Sequence, residues 1–156
     1  MCWIDWRAFE NLVAEADRLA GDSSGAGLEA LRRALALYEG HFLADDRDEA
    51  WSLPARERLR SKFNRVVIAC GRALSAAGRD AEALDSYRRG LETDDLAEEF
   101  YQGVMRCALV LQRPAEGLAV YYRLERTLAR LFGIAPSPAS QALRQSLLAP
   151  SSTRIG

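Results

Sequence analysis

The sequence predicts an all-α protein, and three observations lead to that prediction. Apolar residues recur every three or four positions over most of the 156 residues, which is the spacing of one helix face. No segment alternates apolar and polar residues long enough to make a convincing core strand. The stretch "AEALDSY" at residues 81–87 returns as "AEGLAVY" at residues 115–121, and this offset of 34 residues is typical of tetratricopeptide helix pairs. The predicted fold is a tetratricopeptide-like stack of about seven antiparallel helices, an α–α superhelix.

Two helix patterns precede an irregular connection. The first covers roughly residues 6–20, with Asp5 as its N-cap, and the second covers residues 28–39 and is closed by Gly40. The connection "HFLADDRDEAWSLP" then interrupts the period. This first pair resembles the later repeats only loosely, so we expect it to cap the stack.

Five further helices are predicted after the connection. The third helix is long, from near Pro54 to Ala77, and Gly78 ends it. The fourth is centred on Tyr87, and Asp94 or Asp95 caps the fifth.

Proline and serine signals mark the last two helices. Pro114 opens the sixth helix at its first position, and Gly133 ends it. Ser137 and Pro138 form a cap and first-position signal for a short seventh helix.

The two clear repeats differ at their glycines. In the first repeat Gly71 occupies the small position where the partner helix crosses closely, and Gly78 terminates the helix. Met105 and Gln112 stand at the equivalent positions of the second repeat, which therefore follows the pattern less well.

The charge balance argues against nucleic-acid binding by this chain. There are 21 basic and 22 acidic residues, with a net charge of −1, whereas a phosphate-binding surface shows a basic excess. Every basic residue except Lys62 is arginine, which suits contacts with protein carboxylates.

The three cysteines and the hydropathy predict a cytoplasmic location without membrane contact. Cys2, Cys70 and Cys107 are sparse and odd in number, which is typical of a reducing compartment. No apolar run approaches the roughly 18 residues of a membrane span.

No catalytic, cofactor-binding or metal-binding residue is predicted. Residues 21–25, "GDSSG", match a nucleophile elbow, but that motif needs a preceding strand and here follows a helix. His41 is the single histidine, and it and the cysteines lack metal-ligand spacing. The acidic pairs at residues 94–95 and 98–99 are interpreted as helix-start residues.

Two arginine clusters and one tryptophan are the surface features of interest. We interpret the clusters as solvated or partner-facing, because acidic residues are interleaved with them. Trp51 either fills the junction after the first helix pair or contacts a partner. The clusters are Arg56, Arg58, Arg60 and Arg65 in the third helix and Arg123, Arg126 and Arg130 in the sixth.

Taken in order, several motifs resemble the bacterial transcriptional activator domain, the tetratricopeptide-like module of antibiotic-pathway regulators. They are Trp51 followed by "ARERLR", the D-x-x-x-E-E pattern from Asp94, and "LFGIAPSPASQAL" near the end. In that family the module follows a winged-helix DNA-binding domain, and "CWIDWRAFE" looks like the exit from one.

The resemblance implies a domain layout and a set of partners. Residues 1–5 would be a remnant of a preceding domain or a linker, residues 6–148 the activator domain, and residues 149–156 a flexible tail. The implied partners are proteins: a neighbouring domain of the same regulator, a second copy in a homodimer, or RNA polymerase. DNA would be bound through a winged-helix domain outside this chain, and no individual partner-binding residue is predicted.

Two other functions stay open from the residues alone. One is a generic tetratricopeptide adaptor unconnected to transcription. The other is a small-molecule sensor whose effector lies among Tyr87, Tyr121, Tyr122 and Trp51, although core packing explains these side chains more simply. An enzyme is the least favoured class, because no nucleophile, base and orienting acid converge.

Overall fold

The computed structural model describes residues 2–19, 25–41 and 53–150 of the chain. These residues form seven helices and no strand, which confirms the predicted all-α class. The helices are α1 (Cys2–Leu19), α2 (Ala26–His41), α3 (Leu53–Ala76), α4 (Asp80–Thr93), α5 (Glu98–Val110), α6 (Pro114–Phe132) and α7 (Pro138–Leu148).

The predicted boundaries are confirmed for α6 and α7. Pro114 lies at the start of α6, and Gly133 follows its last residue in the left-handed conformation with φ of 65°. Ser137 is the N-cap of α7, where its Oγ accepts a hydrogen bond from the Ser140 amide at 3.4 Å. Proline and glycine predict these helix ends correctly because each residue determines the conformation of its own backbone.

Two predicted boundaries in the first half are wrong. Helix α1 begins at Cys2, so Asp5 lies within the helix and not at its N-cap. Neither glycine nor proline occurs in residues 2–5 to stop the helix from extending in that direction. Helix α2 continues to His41, one residue beyond Gly40, because a glycine near a helix end costs little.

The predicted aspartate cap of α5 is also wrong. The N-cap position is Ala97, and no side chain caps the helix. Asp94 instead accepts a hydrogen bond on Oδ1 from the Leu96 amide at 3.1 Å, in the turn after α4. An aspartate side chain readily bonds the backbone two residues on, and this local turn competes with the cap.

The chain forms two compact units, residues 1–77 and 78–156. In the first unit α2 packs against both α1 and α3. Its core includes Phe9, Phe63 and Val66, each no more than 1% exposed. An ion pair between Glu10 and Lys62 adds a contact of α1 with α3.

In the second unit α5 contacts α4, α6 and α7. Accordingly, five of its side chains are completely buried: Phe100, Tyr101, Val104, Met105 and Ala108. A helix that is buried on several sides depends on tertiary packing more than on helix propensity. The second unit is thus built around α5.

Close approaches in the second unit occur at two glycines. A Cβ at Gly103 would lie 2.5 Å from the Tyr87 ring, so α5 can meet α4 here only without a side chain. A Cβ at Gly117 would lie 2.8 Å from Leu147. Met105 stands where the first repeat has Gly71, and a glycine that leaves room for α4 lies two residues earlier, at Gly103.

Candidate protein-interaction surface

The exposed face of α6 is a candidate interaction surface of the second unit. Its buried side is formed by Gly117, Tyr121, Leu124, Thr127 and Leu128. Because a helix turns by 3.6 residues, the positions between these project away from the core. The exposed residues of its second half are Tyr122, Arg123, Glu125, Arg126, Ala129, Arg130, Leu131 and Phe132.

The loop before α5 is joined to α5 by a buried tyrosine. The Tyr101 hydroxyl donates a hydrogen bond to the Asp95 carbonyl oxygen at 2.9 Å. The Arg123 guanidinium carbon lies 5.9 Å from the Tyr101 ring centroid, so α6 contributes a cation–π contact to the same residue. Burial raises the pKa of Tyr101, and the phenol stays protonated as a donor.

A polar cluster ties the start of α7 to the start of α5. Glu98 Oε1 accepts hydrogen bonds from the Ser137 amide at 2.8 Å and from the Ser140 hydroxyl at 2.5 Å. Gln102 Nε2 donates to the Ser140 Oγ at 3.1 Å. Burial raises the pKa of Glu98, but the hydrogen bonds from Ser140, Ser137 and Gln102 outweigh it and hold the pKa below its usual value.

This cluster fixes the segment that follows α6. Ser140 is completely buried, so its hydroxyl needs the Glu98 and Gln102 partners. Residues 133–137 run from the end of α6 to this anchored serine pair. Both ends of this connection are therefore held in place.

An arginine covers the tyrosine pair of α6. The Arg144 guanidinium carbon of α7 lies 5.5 Å from the Tyr121 ring centroid. The Tyr121 and Tyr122 rings meet edge to face, with centroids 5.7 Å apart. Tyr121 is buried in a core cluster with Met105, Ala108 and Leu147, whereas Tyr122 is exposed.

Three of the four aromatic residues considered for an effector site lie in the described part of the chain. Tyr87 and Tyr121 are buried at 4% and 2% exposure and pack in the core of the second unit. Tyr122 is exposed, and Trp51 lies outside the described residues. The described tyrosines therefore pack as core and surface residues, not as a shared lining.

The arginine clusters are exposed where their side chains are described. Arg58, Arg60 and Arg65 are exposed on α3, and the side chain of Arg56 is outside the described set. Arg123, Arg126 and Arg130 are exposed on α6.

Sequence reasoning missed the apolar residues beside the second cluster. Leu131, Phe132 and Ile134 are 50%, 57% and 55% exposed. The helical spacing of Leu124, Leu128 and Leu131 predicts that Leu131 faces the core. Leu131 instead lies one residue before the last residue of α6 and is half exposed. The signal that could have found them is three large apolar residues around a terminating glycine.

The side chains that could bind a metal or act as nucleophiles are dispersed in the described part of the chain. No group of three or more His, Cys, Asp and Glu residues there could hold a metal ion. The apolar spacing around Cys70 and Cys107 predicts that both lie in the core, and both are buried. The side chains of His41 and Cys2 and residues 21–24 lie outside the described set.

No helix within the described ranges combines the length and apolar character needed to cross a bilayer.

Comparison with known proteins identifies a family. A family model described as the bacterial transcriptional activator domain matches residues 4–148. No curated protein matches at a significant level. Among solved structures, the chain is similar to Mycobacterium tuberculosis EmbR in complex with a low-affinity phosphopeptide, with a TM-score of 0.72 and 23% identity. The match covers 91% of this chain and 38% of the EmbR chain, and at this identity it shows the fold alone.

Proposed function

Because this chain belongs to the bacterial transcriptional activator domain family, we propose that it is the protein-interaction domain of a bacterial transcriptional regulator. The family match over residues 4–148 is the observation that carries the proposal. The proposed role is regulatory and not catalytic, in the cytoplasm. It is exerted through self-association, coupling to a neighbouring domain, or recruitment of RNA polymerase.

The surface supports contacts with protein and not with DNA. The net charge is −1, and a chain that neutralises many phosphates carries a basic excess. Exposed apolar side chains at the end of α6 suit a protein partner, which can cover them. We propose that DNA is bound by a winged-helix domain elsewhere in the regulator.

The domain proposed for this role covers residues 6–148, flanked by residues 1–5 of a preceding domain or linker and a tail at residues 149–156. The family match supports an extent close to this one. The similar EmbR structure is a complex with a low-affinity phosphopeptide, so that protein takes a peptide partner.

The family match favours this role over a tetratricopeptide adaptor unconnected to transcription. The small-molecule sensor is less favoured, because Tyr87 and Tyr121 are buried in the packed core.

The test separates activation from DNA binding in the parent regulator. Residues 4–148 are replaced by an unrelated helical-repeat domain of similar length, and reporter transcription and promoter binding are measured side by side. We expect activation to be lost while promoter binding by the remaining DNA-binding domain persists. Full activation after the replacement would refute the proposed function.

A further inference from the structure

The second half of α6 combines two kinds of exposed side chain. We define the α6 docking surface as Arg123, Arg126, Arg130, Leu131, Phe132 and Ile134. These residues fall within twelve consecutive positions, from the second half of α6 to the residue after Gly133. The Glu98 cluster holds the segment that follows α6 in place. The surface is therefore presented on a fixed backbone and not on a free segment.

The arginines form a stripe along the exposed side of α6, from Arg123 beside the Tyr101 ring to Arg130 near the helix end. Spacings of three and four residues place Arg123, Arg126 and Arg130 above one another along the helix. They alternate with the buried positions Leu124 and Leu128, which face the other way. Three positive charges are thus aligned over about two helical turns.

In the described part of the chain, Arg126 and Arg130 lack the acidic partners that other arginines have. At the start of α6, Glu116 forms ion pairs with Arg88 and Arg113. Within the described residues, neither Arg126 nor Arg130 has a carboxylate within ion-pair distance.

Two acids border the stripe without pairing with Arg126 or Arg130. Glu125 is the single acidic residue of positions 122–134. Asp95 accepts the hydrogen bond of the Tyr101 hydroxyl, and Arg123 lies over the Tyr101 ring, so an acid lies in the neighbourhood of Arg123. The uncompensated charge is therefore concentrated at Arg126 and Arg130.

The apolar residues continue directly from the stripe. Leu131, Phe132 and Ile134 are each at least half exposed. Covering such side chains removes apolar surface from water, which favours association with a partner. A cluster of this kind with a polar rim is typical of a site that another protein covers.

We propose that the α6 docking surface binds an acidic, amphipathic segment of a partner protein. Its carboxylates would pair with Arg126 and Arg130, where arginine makes forked hydrogen bonds, and its apolar residues would cover Phe132 and its neighbours. Charge complementarity selects this occupant, and the adjoining apolar cluster favours a peptide over the phosphates of a nucleic acid. This inference rests on the proposed function and adds the chemistry of the partner.

The test uses synthetic helical peptides of about 18 residues, long enough for five turns. One peptide carries Glu on one face and Leu on the other, and its twin carries Lys in place of Glu. Binding to the chain is measured by fluorescence anisotropy and mapped by NMR chemical-shift changes. We expect the acidic peptide to bind, with shifts at residues 123–134, and the basic twin to bind at least about tenfold more weakly.

Matched variants locate the site. Arg126→Glu/Arg130→Glu should weaken acidic-peptide binding by about tenfold or more, and Leu131→Ser/Phe132→Ser should weaken it as well. The control Arg65→Glu/Arg72→Glu changes the net charge by the same amount on exposed positions of α3 and should alter binding by less than about twofold. Circular dichroism verifies that each variant is folded.

Three outcomes would overturn the inference. They are no binding of the acidic peptide at roughly 1 mM, equal loss in the α3 control, and a random-sequence DNA duplex that binds the same surface more tightly than the peptide. Absence of peptide binding together with loss of activation in the domain replacement would refute only this partner chemistry. Retained activation in that replacement would refute the proposed function itself.

Discussion

Gln112 adopts a backbone conformation that suits glycine, with φ of 55° in the turn between α5 and α6. The equivalent turn of the first repeat has Gly78, with φ of 72°. A side chain in this left-handed region costs roughly 1–2 kcal/mol, and the greater freedom of glycine in the unfolded chain offsets part of it.

We predict that Gln112→Gly increases the free energy of unfolding by about 0.5–1 kcal/mol. Urea denaturation followed by circular dichroism measures the change. Gly78→Gln is the reciprocal substitution and should lower stability. A less stable Gln112→Gly variant would contradict the strain at this turn.

Gly103 sets the distance between α5 and α4. Its missing side chain leaves room for the Tyr87 ring, which a Cβ would meet at 2.5 Å. Overpacking of this kind costs about 1–3 kcal/mol, against a gain of about 1 kcal/mol in helix propensity for alanine. We predict that Gly103→Ala lowers the free energy of unfolding by up to about 2 kcal/mol.

The crowding can be isolated by a double-mutant cycle. In a Tyr87→Leu background the rigid ring is gone, so the added methyl of Gly103→Ala should be neutral or stabilising. The same destabilisation in both backgrounds, measured by thermal unfolding, would show that Tyr87 is not the cause.

At the scale of elements, the Glu98 carboxylate holds α7 to α5 through two hydrogen bonds. Its pKa is lowered in the folded chain, so the carboxylate binds protons more weakly there than in the unfolded chain. The stabilisation is therefore complete above the unfolded pKa of about 4.3 and is lost as the pH falls through the folded value.

We predict that the wild-type chain loses stability in acid more steeply than Glu98→Gln does. Urea midpoints measured from about pH 7 to pH 3 provide the comparison. Glu99→Gln is the matched control, because Glu99 is exposed in the same first turn of α5. An equally flat acid profile for both variants would contradict a role of the Glu98 pair in the pH dependence.

At the scale of the whole molecule, each unit contains one described thiol deep in its core. Cys70 is 1% exposed in the first unit and Cys107 is 3% exposed in the second. A buried thiol reacts only when the surrounding structure opens.

We predict that both thiols react with an aromatic disulfide reagent at least about a thousandfold more slowly than an exposed cysteine. Mass spectrometry of time points assigns the labelled residue. Ala119→Cys on the exposed face of α6 provides the fast reference. Labelling of Cys107 at the reference rate would show that the α5 core is not closed.

The sequence was sufficient for features that depend on local backbone chemistry. Pro114, Gly133 and Ser137 predicted the ends of α6 and α7, because proline, glycine and a capping serine act within a few residues. The 34-residue repeat indicated paired helices because the residues that face the core recur at the same places in each pair.

What the sequence could not predict depends on tertiary neighbours. In the sequence, Glu98 looks like an ordinary acidic residue at a helix start. Its partner Ser140 becomes visible only in the structure, where α7 approaches α5. Periodicity assigns Leu131 to the core, but the core ends before the helix does. The candidate surface exists because no neighbouring helix covers the last turn of α6 within the described residues.

The hydrogen bond from Tyr101 to the carbonyl oxygen of Asp95 has a consequence for variation among relatives. Every amino acid carries that oxygen, so the anchor survives whichever side chain occupies position 95. The stretch leading into α5 can thus acquire new charge or bulk while its path stays the same. A substitution at position 95 can therefore change the charge of this stretch and still leave the Tyr101 hydroxyl its acceptor.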